Sequence, residues 1–283
     1  MVSSGTGARS GDERPWTFYA LAILFGAFLL FLYGPMVVIY ILSFQGSNGG
    51  VTFPMTGVSI DWFLDLFRPG QMANIPVSFS RSALLAAIVS LTTVAMSVAA
   101  GLAFRRSFAG AGAVFYLAVA SLVMPSLLVG FGIGLGFKFL GLVPSLFTSA
   151  LAAQLTWTLP FGLFTMFAVI NRFDRSWEEA ATDLGASSWQ RLRYVTLPIL
   201  LPGIFGVAML AFTLSYDEYA RTTLTIGAKN TLPLEIYALI SSATSPTLFA
   251  IGTLTTAVSF LLIAVTLFIV FRTQRKRGLL KAT

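Results

Sequence analysis

The sequence contains no cysteine and no histidine in its 283 residues. The absence of cysteine excludes disulfides and thiolate metal sites, and the absence of histidine removes the commonest general base and excludes a Ser-His-Asp triad. No Gly-Lys dipeptide occurs, so the chain has no phosphate-binding loop of the Walker A type. We therefore predict that the chain is not an enzyme, has no catalytic residue, metal or cofactor of its own, and leaves any use of ATP and Mg²⁺ to another chain.

Charged residues are also scarce. They make up 10% of the chain, whereas 56% of it is hydrophobic and the mean hydropathy is +0.83. Because soluble domains carry about 25% charged residues, this chain has too little polar surface to cover itself and is predicted to be an all-α integral membrane protein. A helix of about 20 apolar residues crosses the bilayer. Charge-free runs predict six transmembrane helices, within residues 17–44, 83–104, 107–137, 139–171, 194–216 and 246–271.

Proline refines two of these limits. Pro144 lies near the start of the fourth run and predicts that the helix begins later than residue 139. Pro246 suits the first turn of a helix, so the sixth span is predicted to begin there. The apolar stretch before it, Ile236 to Ser242, is then predicted to be a separate short helix or a re-entrant piece outside the bilayer.

Lysine and arginine orient the spans, because cytoplasmic loops are enriched in both residues. With both termini in the cytoplasm, 13 of the 18 basic residues fall inside and 5 outside. Residues 1–16 and 272–283 are then cytoplasmic tails of a six-span domain over 17–271, and the net charge of +7 reflects topology rather than nucleic-acid binding. The inside set is Arg9, Arg14, Arg105, Arg106, Arg172, Arg175, Arg191, Arg193, Arg272, Arg275, Lys276, Arg277 and Lys281; the outside set is Arg68, Arg81, Lys138, Arg221 and Lys229.

One polar stretch interrupts the apolar pattern, in the loop between the fourth and fifth spans. Ser176 followed by Glu179 predicts a capping box at the start of a short helix, and Gly185 fits the left-handed residue that ends it. Ser187 followed by Gln190 predicts a second capping box, which starts the next helix. Two helices should therefore meet at a tight corner, the first along the membrane surface and the second entering the bilayer.

The small residues of the first helix indicate what the helix packs against. Ala180 and Ala181 have too little bulk to anchor a helix in lipid, since an amphipathic surface helix carries Leu, Phe and Lys. They allow another backbone to approach closely, which favours a helix docked into the groove of a partner protein. The alternative is a solvated connector whose alanines have no partner.

The spacing Glu179-Ala180-Ala181-x-x-x-Gly185, followed after nine residues by Val195-x-Leu197-Pro198, resembles the EAA loop of permease subunits in bacterial ATP-binding-cassette importers. The family usually has Ile where this chain has Val195. The resemblance implies the type I importer permease fold in the bacterial inner membrane, with residues 172–193 forming a loop whose coupling helix sits in a cleft of the cytoplasmic ATPase subunit. The implied coupling residues are Glu178, Glu179, Ala180, Ala181, Asp183, Gly185 and Pro198.

Further stretches resemble the spermidine/putrescine branch of these permeases. They are residues 215–219, 231–237 and 58–63, together with Met124-Pro125. The resemblance implies a polyamine or related organic cation as substrate, although the branch also includes permeases for opines, thiamine, phosphonates and ferric iron. The implied partners are a second, different permease subunit, two ATP-binding subunits, an extracytoplasmic solute-binding protein and membrane lipid.

The acids at the outer end of the fifth span are the candidate substrate contacts. Asp217 and Glu218, flanked by Tyr216 and Tyr219, suit an ammonium ligand through charge and cation–π attraction. Arg221 offers an alternative, because it lies three residues from Glu218 and four from Asp217 and can simply pair with one acid. Successive helical residues point about 100° apart, so at most one acid is expected to face the path.

Glycine and proline in the spans have structural interpretations. The spacing of Gly130, Gly132, Gly134 and Gly136 predicts close packing or local bending, because small residues four apart let another segment approach. Prolines inside spans predict kinks, since each removes a helical hydrogen bond; they are Pro125, Pro160, Pro198 and Pro202.

Two other classes remain as alternatives. An ion-driven secondary carrier would need membrane acids for its coupling ion, and the outer-side candidates are Asp217, Glu218 and Glu235. That class leaves the pattern from Glu178 to Pro198 unexplained. A structural membrane scaffold explains neither the polar helix nor the acids.

Overall fold

The computed structural model describes residues 16–68, 75–242 and 245–279. Residues 1–15 of the predicted N-terminal tail and residues 280–283 of the predicted basic tail lie outside the described residues. In chain order the described helices are α1 (Trp16–Leu42), α2 (Asp61–Asp65), α3 (Ile75–Ala103), α4 (Ala111–Val123), α5 (Ser126–Phe139), α6 (Leu151–Asn171), α7 (Ser176–Asp183), α8 (Ser188–Arg191), α9 (Leu197–Tyr216), α10 (Leu232–Ser242) and α11 (Thr247–Leu279), with π-helical turns Leu146–Ala150 before α6 and Leu192–Thr196 before α9.

The long helices match the predicted spans. Five stretches of the described chain are long and apolar enough to cross a membrane, and the number reaches six when α4 and α5 count as one span. The fourth span begins at Leu146, after Pro144, and α10 is a separate helix before Pro246, as predicted. Helix α11 continues past residue 271 into the predicted basic tail as far as Leu279.

The third predicted span, residues 107–137, departs from prediction because it is not one continuous helix. Helices α4 and α5 meet at an angle of 110°. Met124 between them has an extended backbone, with φ −68° and ψ 132°, and Pro125 stands at the N-cap of α5. Proline disfavours the helical conformation in the residue before it and lacks an N–H, so it ends α4 instead of kinking it.

Three long helices, α3, α6 and α9, form the centre of the fold. Met166 and Ile170 of α6 pack with Leu200 and Val207 of α9, and Val94 of α3 packs against this cluster. Helix α1 lies at the edge, where it packs on α11 and exposes nearly all its apolar residues. Such exposure is expected of a helix that faces lipid or another membrane subunit.

Polar side chains also hold the central helices together. Thr93 of α3 donates to Thr158 of α6 over 3.0 Å, and Ser90 of α3 donates to the carbonyl of Ala208 in α9 over 2.7 Å. The buried Gln154 of α6 accepts a hydrogen bond from Ser215 of α9. These bonds are typical of membrane helices, where side-chain hydroxyls and amides join neighbours across an apolar interface.

Candidate functional site: the coupling loop and a tyrosine pocket

The predicted coupling loop, residues 172–193, folds into two short helices as expected, but its first cap differs from the prediction. Arg175 is the N-cap of α7 and makes no side-chain capping bond, and Ser176 is the first helical residue. Instead the carboxylate of Asp174 accepts a hydrogen bond from the N–H of Ser176 over 2.9 Å. That backbone hydrogen bond holds the pKa of Asp174 below its usual range. An acid two residues upstream therefore takes the capping role predicted for Ser176.

The end of α7 has the predicted left-handed glycine. Gly185 has φ +81°, and its N–H donates to the carbonyl of Thr182 over 2.8 Å. The N–H of Ala186 donates to the carbonyl of Ala181 over 3.0 Å. This pair of bonds is the Schellman motif, which satisfies the last carbonyls of a helix and requires a positive φ.

The second predicted capping box is confirmed. The N–H of Gln190 donates to Oγ of Ser187 over 3.3 Å, and the N–H of Ser187 donates to Oε1 of Gln190 over 2.8 Å. Helix α8 thus starts three residues after Gly185, which makes the corner tight. The chain then passes through the π-helical turn and into α9, where Pro198 occupies the first turn.

Much of the coupling loop faces outward. Among the residues implied by resemblance, Glu179, Ala180, Asp183 and Gly185 are exposed and Ala181 is half-buried. Large apolar side chains lie beside them, which sequence patterns did not single out: Leu184 is 90% exposed, and Trp177 and Trp189 are also exposed. A polar loop with exposed Leu and Trp presents a surface suited to a protein partner.

Glu178 is the exception, because its carboxylate points into the protein. Its two oxygens accept hydrogen bonds from Nη1 and Nη2 of Arg105, both over 2.8 Å. Oε1 also accepts from the hydroxyl of Thr196 over 2.6 Å. The hydrogen bond from Arg105 is the largest cause that lowers the pKa of Glu178. Arg105 lies 73 residues away along the chain, so no local spacing could have identified it.

A pocket of about 290 Å³ lies where α9, α10 and α11 meet. Its lining includes three tyrosines and one acid, Tyr216, Asp217, Tyr219 and Tyr237, together with Thr255 and the mainly apolar residues Leu232, Pro233, Ile236 and Ile240. The rings of Tyr219 and Tyr237 are 4.8 Å apart, and Asp217 is exposed. Tyr216 is only 5% exposed, and its buried hydroxyl has no hydrogen-bond partner among the described residues. We call this the tyrosine pocket.

The structure brings three of the four predicted substrate-path residues together. Tyr216, Asp217 and Tyr219 line the tyrosine pocket, but Glu218 is not among its lining residues. Tyr237 joins them from α10 although it was not singled out as a site residue. The residues around Tyr237 in the sequence did not predict this position, because it depends on where the chain places α10 after the end of α9.

Glu218 pairs with Arg221, which was the structural alternative. Oε1 of Glu218 accepts from the backbone N–H of Arg221 over 2.8 Å, and Oε2 lies 3.6 Å from Nη1 of Arg221. The guanidinium also donates to Ser126 at the start of α5 over 2.8 Å and lies 4.9 Å from the ring of Trp157. Both partners are buried, at 7% and 2% exposure.

The segment after α9 packs against one face of the α5 glycines. A Cβ added at Gly130 would lie 2.7 Å from the carbonyl oxygen of Arg221, and one at Gly134 would lie 2.8 Å from that of Leu224. A Cβ at Gly132 or at Gly136 would meet nothing within 4 Å. The predicted close packing is thus present for one pair, and its partner is a loop backbone.

Comparisons with known proteins agree with this architecture. Residues 92–277 match the family described as binding-protein-dependent transport system inner membrane component. The chain is 28% identical over 239 residues to the spermidine/putrescine transport system permease protein PotC of Haemophilus influenzae, covering 82% of this chain and 89% of that protein. It is 29% identical over 261 residues to the putrescine transport system permease protein PotI of Escherichia coli, covering 86% of each.

Solved structures show the same fold at lower identity. A bacterial ABC transporter involved in the import of the acidic polysaccharide alginate has a chain with 16% identity and a TM-score of 0.71, covering 92% of this chain and 97% of that one. A chain of the bacterial alginate transporter in complex with its alginate pentasaccharide-bound periplasmic protein has 17% identity and a TM-score of 0.67. The predicted all-α permease fold is therefore confirmed.

Proposed function

The chain belongs to the family of binding-protein-dependent transport system inner membrane components, and from that premise we propose that it forms half of the translocation path for a polyamine or related organic cation. It is a multi-pass protein of the bacterial inner membrane. In the proposed role it makes and breaks no covalent bond. A solute-binding protein delivers the substrate, and a separate ATPase drives the conformational cycle.

The tyrosine pocket is the observation that carries the substrate proposal. The exposed Asp217 supplies one negative charge in its lining, and the rings of Tyr219 and Tyr237, whose centroids are 4.8 Å apart, line the same pocket. An ammonium group gains from both, through charge attraction and cation–π contact. The relatives named for spermidine and putrescine transport point to the same class of ligand.

Other substrates of the same branch fit this pocket less well. A phosphonate would bring negative charge toward Asp217, which is unfavourable. Thiamine and some opines carry a cationic group and remain alternatives, as does ferric iron. An ion-coupled carrier is the less favoured alternative, because it gives no role to the exposed face of α7.

The coupling loop is the proposed contact with the ATPase. Its exposed residues, including Glu179, Ala180 and Asp183, are proposed to sit in a cleft of that subunit, with α7 held rigid by its Schellman turn and by the corner into α8. A short rigid helix carries a rigid-body motion as a lever. The proposed assembly has two different permease chains, two ATPase subunits that bind ATP and Mg²⁺, and one binding protein.

The test is uptake by the assembled complex in proteoliposomes. Labelled putrescine and spermidine should accumulate only with ATP and a loaded binding protein, and vanadate should abolish the uptake. An ionophore should have little effect. Uptake that resists vanadate but collapses with the ionophore would favour the ion-coupled carrier, and preference for thiamine or an opine over both polyamines would replace the substrate assignment.

A further inference from the structure

The Glu178 carboxylate connects three parts of the fold. It belongs to α7, its bidentate partner Arg105 lies two residues beyond the end of α3, and Thr196 lies in the π-helical turn that leads into α9. Helices α3 and α9 are two of the three central helices. One carboxylate therefore ties the coupling loop to the centre of the membrane domain.

The contact has a defined orientation. An arginine that donates two parallel hydrogen bonds to one carboxylate fixes the plane of both groups, which a single point charge does not. The side chains of Arg105 and Glu178 are only 16% and 22% exposed. Arg105 also lies 5.2 Å from the ring of Phe173, and its carbonyl accepts from Arg175 over 3.2 Å.

Thr196 connects the Glu178 carboxylate to the turn that leads into α9. It is 2% exposed, and its hydroxyl donates to Glu178 and to the carbonyl of Arg191, the last residue of α8. A π-helical turn replaces the usual bonding of an α-helix with a wider one. The hydrogen bond to Glu178 therefore connects the coupling loop to the start of α9. At this point the backbone hydrogen bonding changes from π-helical to α-helical.

We propose that Arg105 and Thr196 are positioning residues for energy coupling: through Glu178 they fasten α7 to α3 and α9, so that a movement of the coupling loop moves both helices together. This inference rests on the proposed function of the loop. It assigns Glu178 to the permease interior, with both carboxylate oxygens occupied, and leaves the ATPase contact to the exposed residues of α7.

The proposal predicts a specific defect when Arg105 is changed. In the complete complex, Arg105→Gln should retain ATP hydrolysis within about twofold while uptake per ATP hydrolysed falls about tenfold or more, because two charge-assisted hydrogen bonds are lost. Exchanging the charges, as Arg105→Glu with Glu178→Arg, should restore much of the uptake per ATP. Arg106→Gln is the matched control, because this exposed arginine is adjacent in sequence but does not hold Glu178.

A second variant guards against simple misfolding. Thr196→Val keeps the size of the side chain and removes the hydroxyl that donates to Glu178 and to the carbonyl of Arg191. It should lower uptake per ATP less than Arg105→Gln does, while the melting temperature stays near that of the wild type. The proposal is overturned if hydrolysis and uptake fall in parallel with melting temperature, since the contact is then only structural. Normal uptake per ATP in Arg105→Gln also overturns it.

The wild-type complex separates this inference from the proposed function. Absence of ATP-dependent uptake in the wild type, with all partner subunits present, overturns the proposed function and the inference with it. Normal wild-type uptake together with an unaffected Arg105→Gln overturns only the positioning role of Arg105.

Discussion

Asp217 and Glu218 are adjacent acids in opposite environments: Asp217 is exposed at the tyrosine pocket, whereas Glu218 is buried against Arg221. The end of α9 produces this separation, because Asp217 is the residue that caps the helix and the chain turns immediately after it. The two carboxylates therefore have different expected roles, one toward a ligand and one within the fold.

Neutral replacements should separate these roles. Asp217→Asn removes attraction for a cation without removing volume, and uptake should fall about tenfold or more, since a charge pair at about 4 Å is worth a few kcal/mol near a protein surface. The fall should be larger for a divalent than for a monovalent cation, and the melting temperature should stay unchanged. Uptake assays with putrescine and a monoamine provide the comparison.

Glu218→Gln is the matched control for that experiment. It leaves the buried Arg221 without its ion pair and should destabilise the protein by about 3 kcal/mol, whatever the substrate. Combining it with Arg221→Gln should restore much of the loss, as read by melting temperature. Rescue of an Asp217→Asn defect by Arg221→Gln would instead contradict the ligand role of Asp217.

The α5 glycines predict a contrast between two neighbouring substitutions. Gly130→Ala places a methyl group 2.7 Å from the carbonyl oxygen of Arg221, and this overpacking should cost about 1–3 kcal/mol. Gly132→Ala meets no atom within 4 Å and should be neutral or slightly stabilising, because alanine favours a helix. Melting temperatures of the two variants would test this, and equal values would contradict the packing described for this face.

Local features of the coupling loop were accessible from sequence, whereas its long-range contacts were not. The Schellman turn at Gly185 and the box from Ser187 to Gln190 depend on bonds between residues a few positions apart, so residue type and spacing suffice. The predicted box at Ser176 was wrong because Asp174, which also accepts hydrogen bonds well, reaches the helix start first.

Contacts between distant segments could not be predicted from residue type and spacing. The pair of Arg105 and Glu178 joins residues 73 apart, and Tyr237 reaches the tyrosine pocket only because α10 packs against α3 and α11. Hydropathy identified the third span by its length, yet it could not show that Pro125 would turn the chain by 110°. A run of apolar residues indicates burial in lipid, but it does not indicate where the helix ends or how the chain bends there.

The orientation of the chain is a separate prediction from the basic residues. The 13 to 5 distribution predicts that both termini lie in the cytoplasm, because positively charged loops are retained on that side. A reporter fused after Lys281 and one inserted between Gln45 and Ser80 should report opposite sides of the membrane. Reporters active on the same side would exclude the six-span topology.

Gly185→Val tests the turn at the end of α7. Its φ of +81° costs a β-branched residue about 1–2 kcal/mol, while space for the side chain is open. We expect uptake per ATP to fall because α7 loses its fixed end, with a smaller loss in Gly185→Asn, since asparagine tolerates the left-handed region.

Gly110→Val is the control for this backbone strain. Gly110 has φ +93° and equally open surroundings, but it is the N-cap of α4, outside the coupling loop. The two valine variants should be destabilised to a similar extent, and only Gly185→Val should lose uptake per ATP. An equal loss in both would mean that general destabilisation, not the coupling turn, causes the defect.

The Glu178 pair predicts a dependence of stability on pH. Hydrogen bonding from Arg105 lowers the pKa of Glu178 in the folded protein below its ordinary value of 4.5. A lowered folded pKa means that the stabilisation is complete above the unfolded value and is lost as the pH falls through the folded value. The melting temperature of the wild type should therefore exceed that of Glu178→Gln by a constant amount near neutral pH, and the gap should close on acidification below about pH 4.5.

Repeating the comparison in an Arg105→Gln protein tests whether Arg105 causes this pH dependence. Without Arg105 the largest cause of the lowered pKa is removed, so Glu178→Gln should then have a much smaller pH-dependent effect on melting temperature. The hydrogen bond from Thr196 remains in that background and should leave a small residual difference. A gap between wild type and Glu178→Gln that stays constant through the acid range would show that the carboxylate is not held as an anion by Arg105, and the bidentate pair would then lose its place in the coupling scheme.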